Sequence, residues 1–224
     1  MPVVTYSIEA APDIDPKIRD DFGPEVARVF DDPRGWRKYG YLFHEVSLKD
    51  LPDIFIRLAS AEETELRCFN NAGLSCWVPR LRQININLDN WNTGAKSGLP
   101  PQRYHNYVIS HEMGHALGLN HNKCPIEECR RRGLTSCPAS IMQQMTRGKE
   151  AIGECIANDW PLDPEWKIDS PRGFQSMLLD LKLAAILFII LIIMCMVWGR
   201  RSQTEVFRCG SNRILNLNKS LHKE

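Results

Sequence analysis

Charge imbalance is nearly absent from this 224-residue chain: 28 Lys and Arg stand against 27 Asp and Glu, leaving a formal net charge of +1. A chain so balanced lacks the electrostatic footprint of a nucleic-acid binder, and no sustained basic run interrupts its first 165 residues. No nucleic-acid partner is expected. Glycine-rich phosphate loops are also missing, which removes the usual nucleotide cradles. No internal repeat is present, so repeat architectures are excluded. No C-x-x-C pair occurs among the eight cysteines, which argues against a cysteine zinc cluster. Met1 to Pro16 contains no apolar core, so no cleavable signal peptide is expected there. Hydrophobic residues make up 43% of the chain, enough for an ordered core, and one compact domain with appendages is the natural count.

What is present is concentrated in one window. His111-Glu112-Met113-Gly114-His115-Ala116-Leu117-Gly118-Leu119-Asn120-His121 fits H-E-x-x-H-x-x-G-x-x-H at every specified position. Five fixed residues at that spacing arise by chance on the order of 1 time in 10⁵ in a chain of this length. The spacing has a chemical reason. Residues four apart on a helix lie nearly above one another, so His111 and His115 can aim imidazole nitrogens at one tetrahedral Zn²⁺. Glu112 is rotated about 100° from His111, which puts its carboxylate beside the metal as general base for an attacking water. Gly118 can adopt the left-handed conformation that ends the helix and lets the chain return His121 as third ligand. Water keeps the fourth position and makes the single zinc catalytic. The competing reading is a closed structural site, for which Cys124 is the one residue able to fill that position. A disulfide is the expected fate of its thiol.

The motif resembles that of the metzincin clan of zinc metalloendopeptidases. Members carry a methionine turn beneath the metal, and Ser140-Ile141-Met142 resembles it; Met142 is the expected turn residue, with Met145 the other candidate. The wider pattern is similar to a family of largely uncharacterised bacterial secreted zincin-like domains. It comprises Asp32-Pro33-Arg34-Gly35-Trp36, Ile86-Asn87-Leu88-Asp89-Asn90-Trp91, Cys124, Met142-Gln143-Gln144, Cys155 and Asn158-Asp159-Trp160-Pro161. The resemblance implies an α+β, zincin-like domain with a mixed sheet and a zinc-binding active-site helix. It also implies hydrolysis of peptide or protein substrates. Two departures stand out. Gln144 occupies the position where some metzincins place a tyrosine, and the relatives are tethered or exported from their N-terminal side.

Here the membrane signal lies at the other end. Residues 178–198 would make about 31 Å of apolar helix, enough to span a bilayer once. Arg200 and Arg201 follow directly, and by the positive-inside tendency the tail is expected in the cytoplasm and the domain outside, or on a virion surface. Tail-anchored insertion, with the domain in the cytosol, is the alternative. Six cysteines fall within the domain, and their short loops read as a disulfide framework that agrees with an oxidising compartment. The expected pairs are Cys68 with Cys76, Cys129 with Cys137, and Cys124 with Cys155; reduced core thiols are the alternative.

These boundaries divide the chain into a domain (1–168), a connector (169–177), a transmembrane helix (178–198) and a basic tail (199–224). Within the domain, residues 3–9 read as an edge strand and residues 24–30 as a short helix opened by proline. Residues 41–46, 54–58 and 82–88 read as strands, and the resemblance to zincins implies that the last has an exposed edge able to pair with an extended peptide. A helix over residues 103–119 carries the motif. Its Ile109, Met113 and Ala116 suit the sheet, and Tyr104 and Val108 would border the cleft. His44 and His105 read as non-ligands. Arg130-Arg131-Arg132 forms a basic cluster that is either a solvated loop or a selector of acidic substrates. The expected function is a membrane-anchored zinc metalloendopeptidase. The alternative is a zinc-containing ectodomain that serves as an attachment or interaction module.

Overall fold

A computed structural model of the chain describes residues 1–69 and 73–162. The expected membrane span, connector and tail lie outside the described residues, none of whose helices is long and apolar enough to cross a membrane. The architecture is α+β, built on a mixed five-stranded sheet.

The chain opens with β1 (Val3–Ala10), whose Val4 and Tyr6 enter the core. The first helix, α1, is more than twice as long as expected, spanning Pro16–Asp31. Its start is set by Asp15, whose carboxylate accepts from the Lys17 and Ile18 amides, and by Pro16 in the first turn, where a missing N–H costs nothing. Pro24 therefore lies inside the helix rather than at its start. The buried face of α1 is Phe22, Val26, Val29 and Phe30.

Next come β2 (Leu42–Glu45), β3 (Ile54–Ala59), α2 (Ala61–Arg67), β4 (Cys76–Val78) and β5 (Gln83–Asn87). The strand order is β2-β1-β3-β5-β4. β1 pairs in parallel with both β2 and β3, so it is an interior strand and not the expected edge. β5 is likewise flanked on both sides, by parallel β3 and antiparallel β4. The edge next to β5 belongs to β4, three residues that carry no readable alternation.

Leu88 begins a short helix, α3 (Leu88–Thr93), in which the Asn87 side chain accepts from the Asn90 amide. The motif helix is α4 (Pro101–Ala116), shifted from the expected range because Pro100 and Pro101 open it and Gly118 closes it. α4 packs against α1, α3, β4 and β5. It is buried on most of its circumference, so its periodicity does not separate a sheet face from a cleft face. Beyond it, α5 (Ile126–Arg131) and α6 (Lys149–Ile152) sit in a loop-rich segment.

All three disulfides pair as expected: Cys68–Cys76, Cys124–Cys155 and Cys129–Cys137. The segments that carry the wider family pattern, far apart in sequence, meet on α4. Trp36 donates its indole N–H to the Ser110 carbonyl at 2.9 Å, and Asp159 accepts from Arg103 at 2.6 Å and Asn106 at 2.9 Å. Arg34 lies over the Trp160 ring, 4.6 Å from its centroid.

Candidate metal centre

The helix end that delivers the third histidine is built by hydrogen bonds. Gly118, at φ 93°, donates to the His115 carbonyl at 2.9 Å, and Leu119 donates to the Gly114 carbonyl at 2.9 Å. This pair of bonds is a Schellman closure around a left-handed glycine, and it reverses the chain in three residues. Asn122 then fixes the return: its amide donates to the Met142 carbonyl at 3.2 Å and its side chain to Ser140 Oγ at 2.8 Å.

His111, His115 and His121 come together, with one ring nitrogen from each lying within 4.8 Å of the others. Two of the rings are already oriented by backbone carbonyls, which can only accept. His111 Nδ1 donates to Ile141 O at 2.7 Å, and His115 Nδ1 donates to Leu119 O at 2.8 Å. Their Nε2 atoms are therefore lone-pair donors to whatever lies in the cleft. His115 Nε2 and His121 Nε2 stand 3.0 Å apart, near the roughly 3.3 Å expected between two tetrahedral ligands at about 2.0 Å from zinc. Burial first, and then the charge of His115, pushes His111 down to about 3 and His121 down to about 4. Neutral imidazoles, the form that binds metal, thus dominate at physiological pH.

Glu112 is buried beside them at 4% exposure. Burial pushes its carboxyl up to about 8 against the opposing effect of a hydrogen bond from the Trp77 backbone, and its Oε2 has no partner. Trp77 belongs to β4, so the edge strand both borders the cleft and holds this carboxylate.

Beneath the motif lies Met142. A Cβ added to Gly114 would overlap Met142 Sδ and stand 3.0 Å from Trp36. Gly114 is thus dictated by packing, a constraint the motif's unspecified position did not reveal. Alanine is ordinarily better than glycine inside a helix by about 1 kcal/mol. Gly114→Ala should nevertheless destabilise the fold by about 1–3 kcal/mol through overpacking. Urea denaturation measures the sign directly, and a stabilised variant would show that Met142 does not pack there.

The cleft has a volume of about 370 Å³, and its wall includes Trp77, Val108, the three histidines and Glu112. Tyr104, expected at its border, is fully buried and bonded to Thr146 at 3.2 Å; Tyr107, one turn on, lines the cleft instead. The Tyr107 hydroxyl is already committed, donating to Gln143 O and accepting from the Met145 amide. Gln144 also lines the cleft.

Cys124 is bonded to Cys155 and does not serve as a fourth ligand. The sulfurs of Cys124, Cys137 and Cys155 also lie within 4.8 Å of one another, but each is committed to a disulfide. His105 stacks on Trp91 with centroids 3.5 Å apart, and His44 is exposed on β2; neither approaches the trio. Arg130, Arg131 and Arg132 sit at α5 and pair with Glu154 and Glu128, away from the cleft wall. Arg147, which no motif marked, is on that wall.

Fold and site together define a disulfide-braced α+β domain with a three-histidine group able to hold a metal ion. The chain belongs to the family described as protein of unknown function DUF3152, whose model matches residues 2–165. No curated protein matches it.

Proposed function

We propose that this domain is a zincin-like, metzincin-type metalloendopeptidase. The observation that carries the reading is one cleft holding three imidazoles, two of them with lone pairs turned inward, and a buried carboxyl group with a free oxygen. His111, His115 and His121 would hold Zn²⁺, with no fourth protein ligand among the described cleft residues once Cys124 is in its disulfide. Bound zinc supplies a Lewis acid that polarises a carbonyl and brings the pKa of water from about 15.7 toward about 7. With the positive charge of bound zinc favouring its ionised form, Glu112 would accept the proton of the attacking water on its free oxygen and pass it to the leaving amine nitrogen. Met142 supports the ligands from below without binding metal. The edge of β4 offers backbone groups to an extended peptide, which would lie across the cleft beside Trp77.

The three disulfides support an oxidising compartment. With the apolar run at 178–198, they favour an extracytoplasmic domain on a single-pass anchor. Gln144 favours the second reading, a zinc-containing attachment or interaction module, because the tyrosine that assists some metzincins is replaced there.

The test is metal analysis of the purified full-length chain with cleavage of a diverse peptide library. One equivalent of zinc is expected, with cleavage lost on chelation and restored by zinc. At free zinc of 100 times Kd the metal should add about 2.7 kcal/mol of stability. Zinc bound without any cleavage would move the assignment to the module, and no zinc binding would remove both readings.

A further inference from the structure

We infer that Arg147 makes this cleft selective for peptides carrying an aspartate or glutamate side chain beside the cleaved bond. The inference rests on the peptidase reading and gives it a substrate class. Arg147 is the one lysine or arginine among the described residues of the cleft wall. Apart from Glu112 and the three histidines, the other wall residues are apolar, as at Leu74, Pro79 and Leu119, or neutral polar, as at Ser75, Asn120 and Thr146.

Its backbone is held firmly. Residues Met145–Arg147 form a 3-10 turn directly after the Met142 turn, with Met145 fully buried and Thr146 bonded to Tyr104. The side chain, by contrast, is exposed and has no ion-pair or hydrogen-bond partner among the described residues, unlike Arg103 and the three arginines at α5. A fixed base with an uncommitted guanidinium is suited to receive a carboxylate through two parallel N–H bonds.

Its location separates this role from assistance to the reacting atoms. Arg147 is exposed, whereas Glu112 is only 4% exposed, and the three-histidine group is complete without Arg147. Arg147 therefore stands on the exposed part of the cleft wall and the base on its buried part. An anion held there is a flanking side chain and not the oxygen of the bond under attack.

The experiment uses the full-length, zinc-loaded protein and peptides matched except for Asp against Asn or Glu against Gln. Wild type should favour the acidic member about tenfold in kcat/KM. Arg147→Ala should abolish the preference, Arg147→Lys should keep part of it, and Arg147→Glu should turn it toward lysine-containing peptides. Fluorescence anisotropy of the same labelled peptides on Glu112→Ala reads recognition without chemistry. It should show the same ratio, shrinking with added salt. Efficient cleavage with equal rates for acid and amide, or a preference that survives Arg147→Glu, overturns this inference and leaves the peptidase intact. Failure of wild type to cleave any peptide overturns both.

Discussion

Glu112→Gln should keep zinc bound at one equivalent and lower kcat/KM for peptide hydrolysis by about 10²–10⁴-fold, the usual contribution of a positioned general base. Glutamine preserves the volume of a side chain that is only 4% exposed, so a packing defect would not explain the loss. It also keeps an oxygen able to accept from the Trp77 backbone. What it removes is the ability to take and return a proton. A stability measurement separates this from structural damage. In the metal-free protein, burial raises the Glu112 carboxyl from its ordinary 4.5 to about 8. A raised folded-state pKa gives stability that is full below the unfolded value and lost as pH climbs through the folded one. Metal-free wild type should therefore weaken between about pH 4.5 and pH 8 through this group, and Glu112→Gln should not. The variant would be inactive yet more stable than wild type at pH 8 without metal. Full activity in Glu112→Gln, or loss of zinc from it, would remove the assigned role.

The three histidines, Glu112 and Gly118 were legible in the sequence because their chemistry is local: one helix, one left-handed turn and one return. Short cysteine spacings made two of the disulfides readable for the same reason. The rest depended on contacts that the sequence does not encode locally. β4 is three residues long, and its identity comes from pairing with β5 and bonding Glu112. β1 alternates like an edge strand but lies between two neighbours, because the pairings that place it there connect Val3 with Leu42 and Tyr6 with Ile54. Pro24 imitated a helix start, while Asp15 and Pro16 supplied the real one nine and eight positions earlier. Tyr107 replaced Tyr104 at the cleft because a helix buried on most sides offers no polar face to read. Arg147 belongs to no motif, and only the turn that follows Met142 brings it to the wall.

Cys124→Ser/Cys155→Ser should cost more stability than the loss of either shorter bridge and should weaken zinc binding. Chain entropy makes the first comparison. Closing a separation of 31 residues contributes about 3.5 kcal/mol, against about 2.5 kcal/mol for a separation of 8. For a domain whose net stability is typically about 5–15 kcal/mol, the longer bridge is a large share, and its loss should lower Tm by about 7–14 °C. The second effect follows from position. Cys124 lies three residues after His121, and the intervening Asn122 is tied to Met142 and Ser140, so the bridge holds the segment that presents the third histidine. Zinc affinity should fall about tenfold or more, as it does when the supports of a metal ligand are removed. Cys68→Ser/Cys76→Ser is the matched comparison. That bridge ends at the first residue of β4, next to Trp77, so its loss should disturb the strand that holds Glu112 and reduce cleavage more than zinc affinity. Zinc titration and thermal unfolding of the two variants separate the roles. Equal zinc affinities would show that His121 is positioned by its own turn alone.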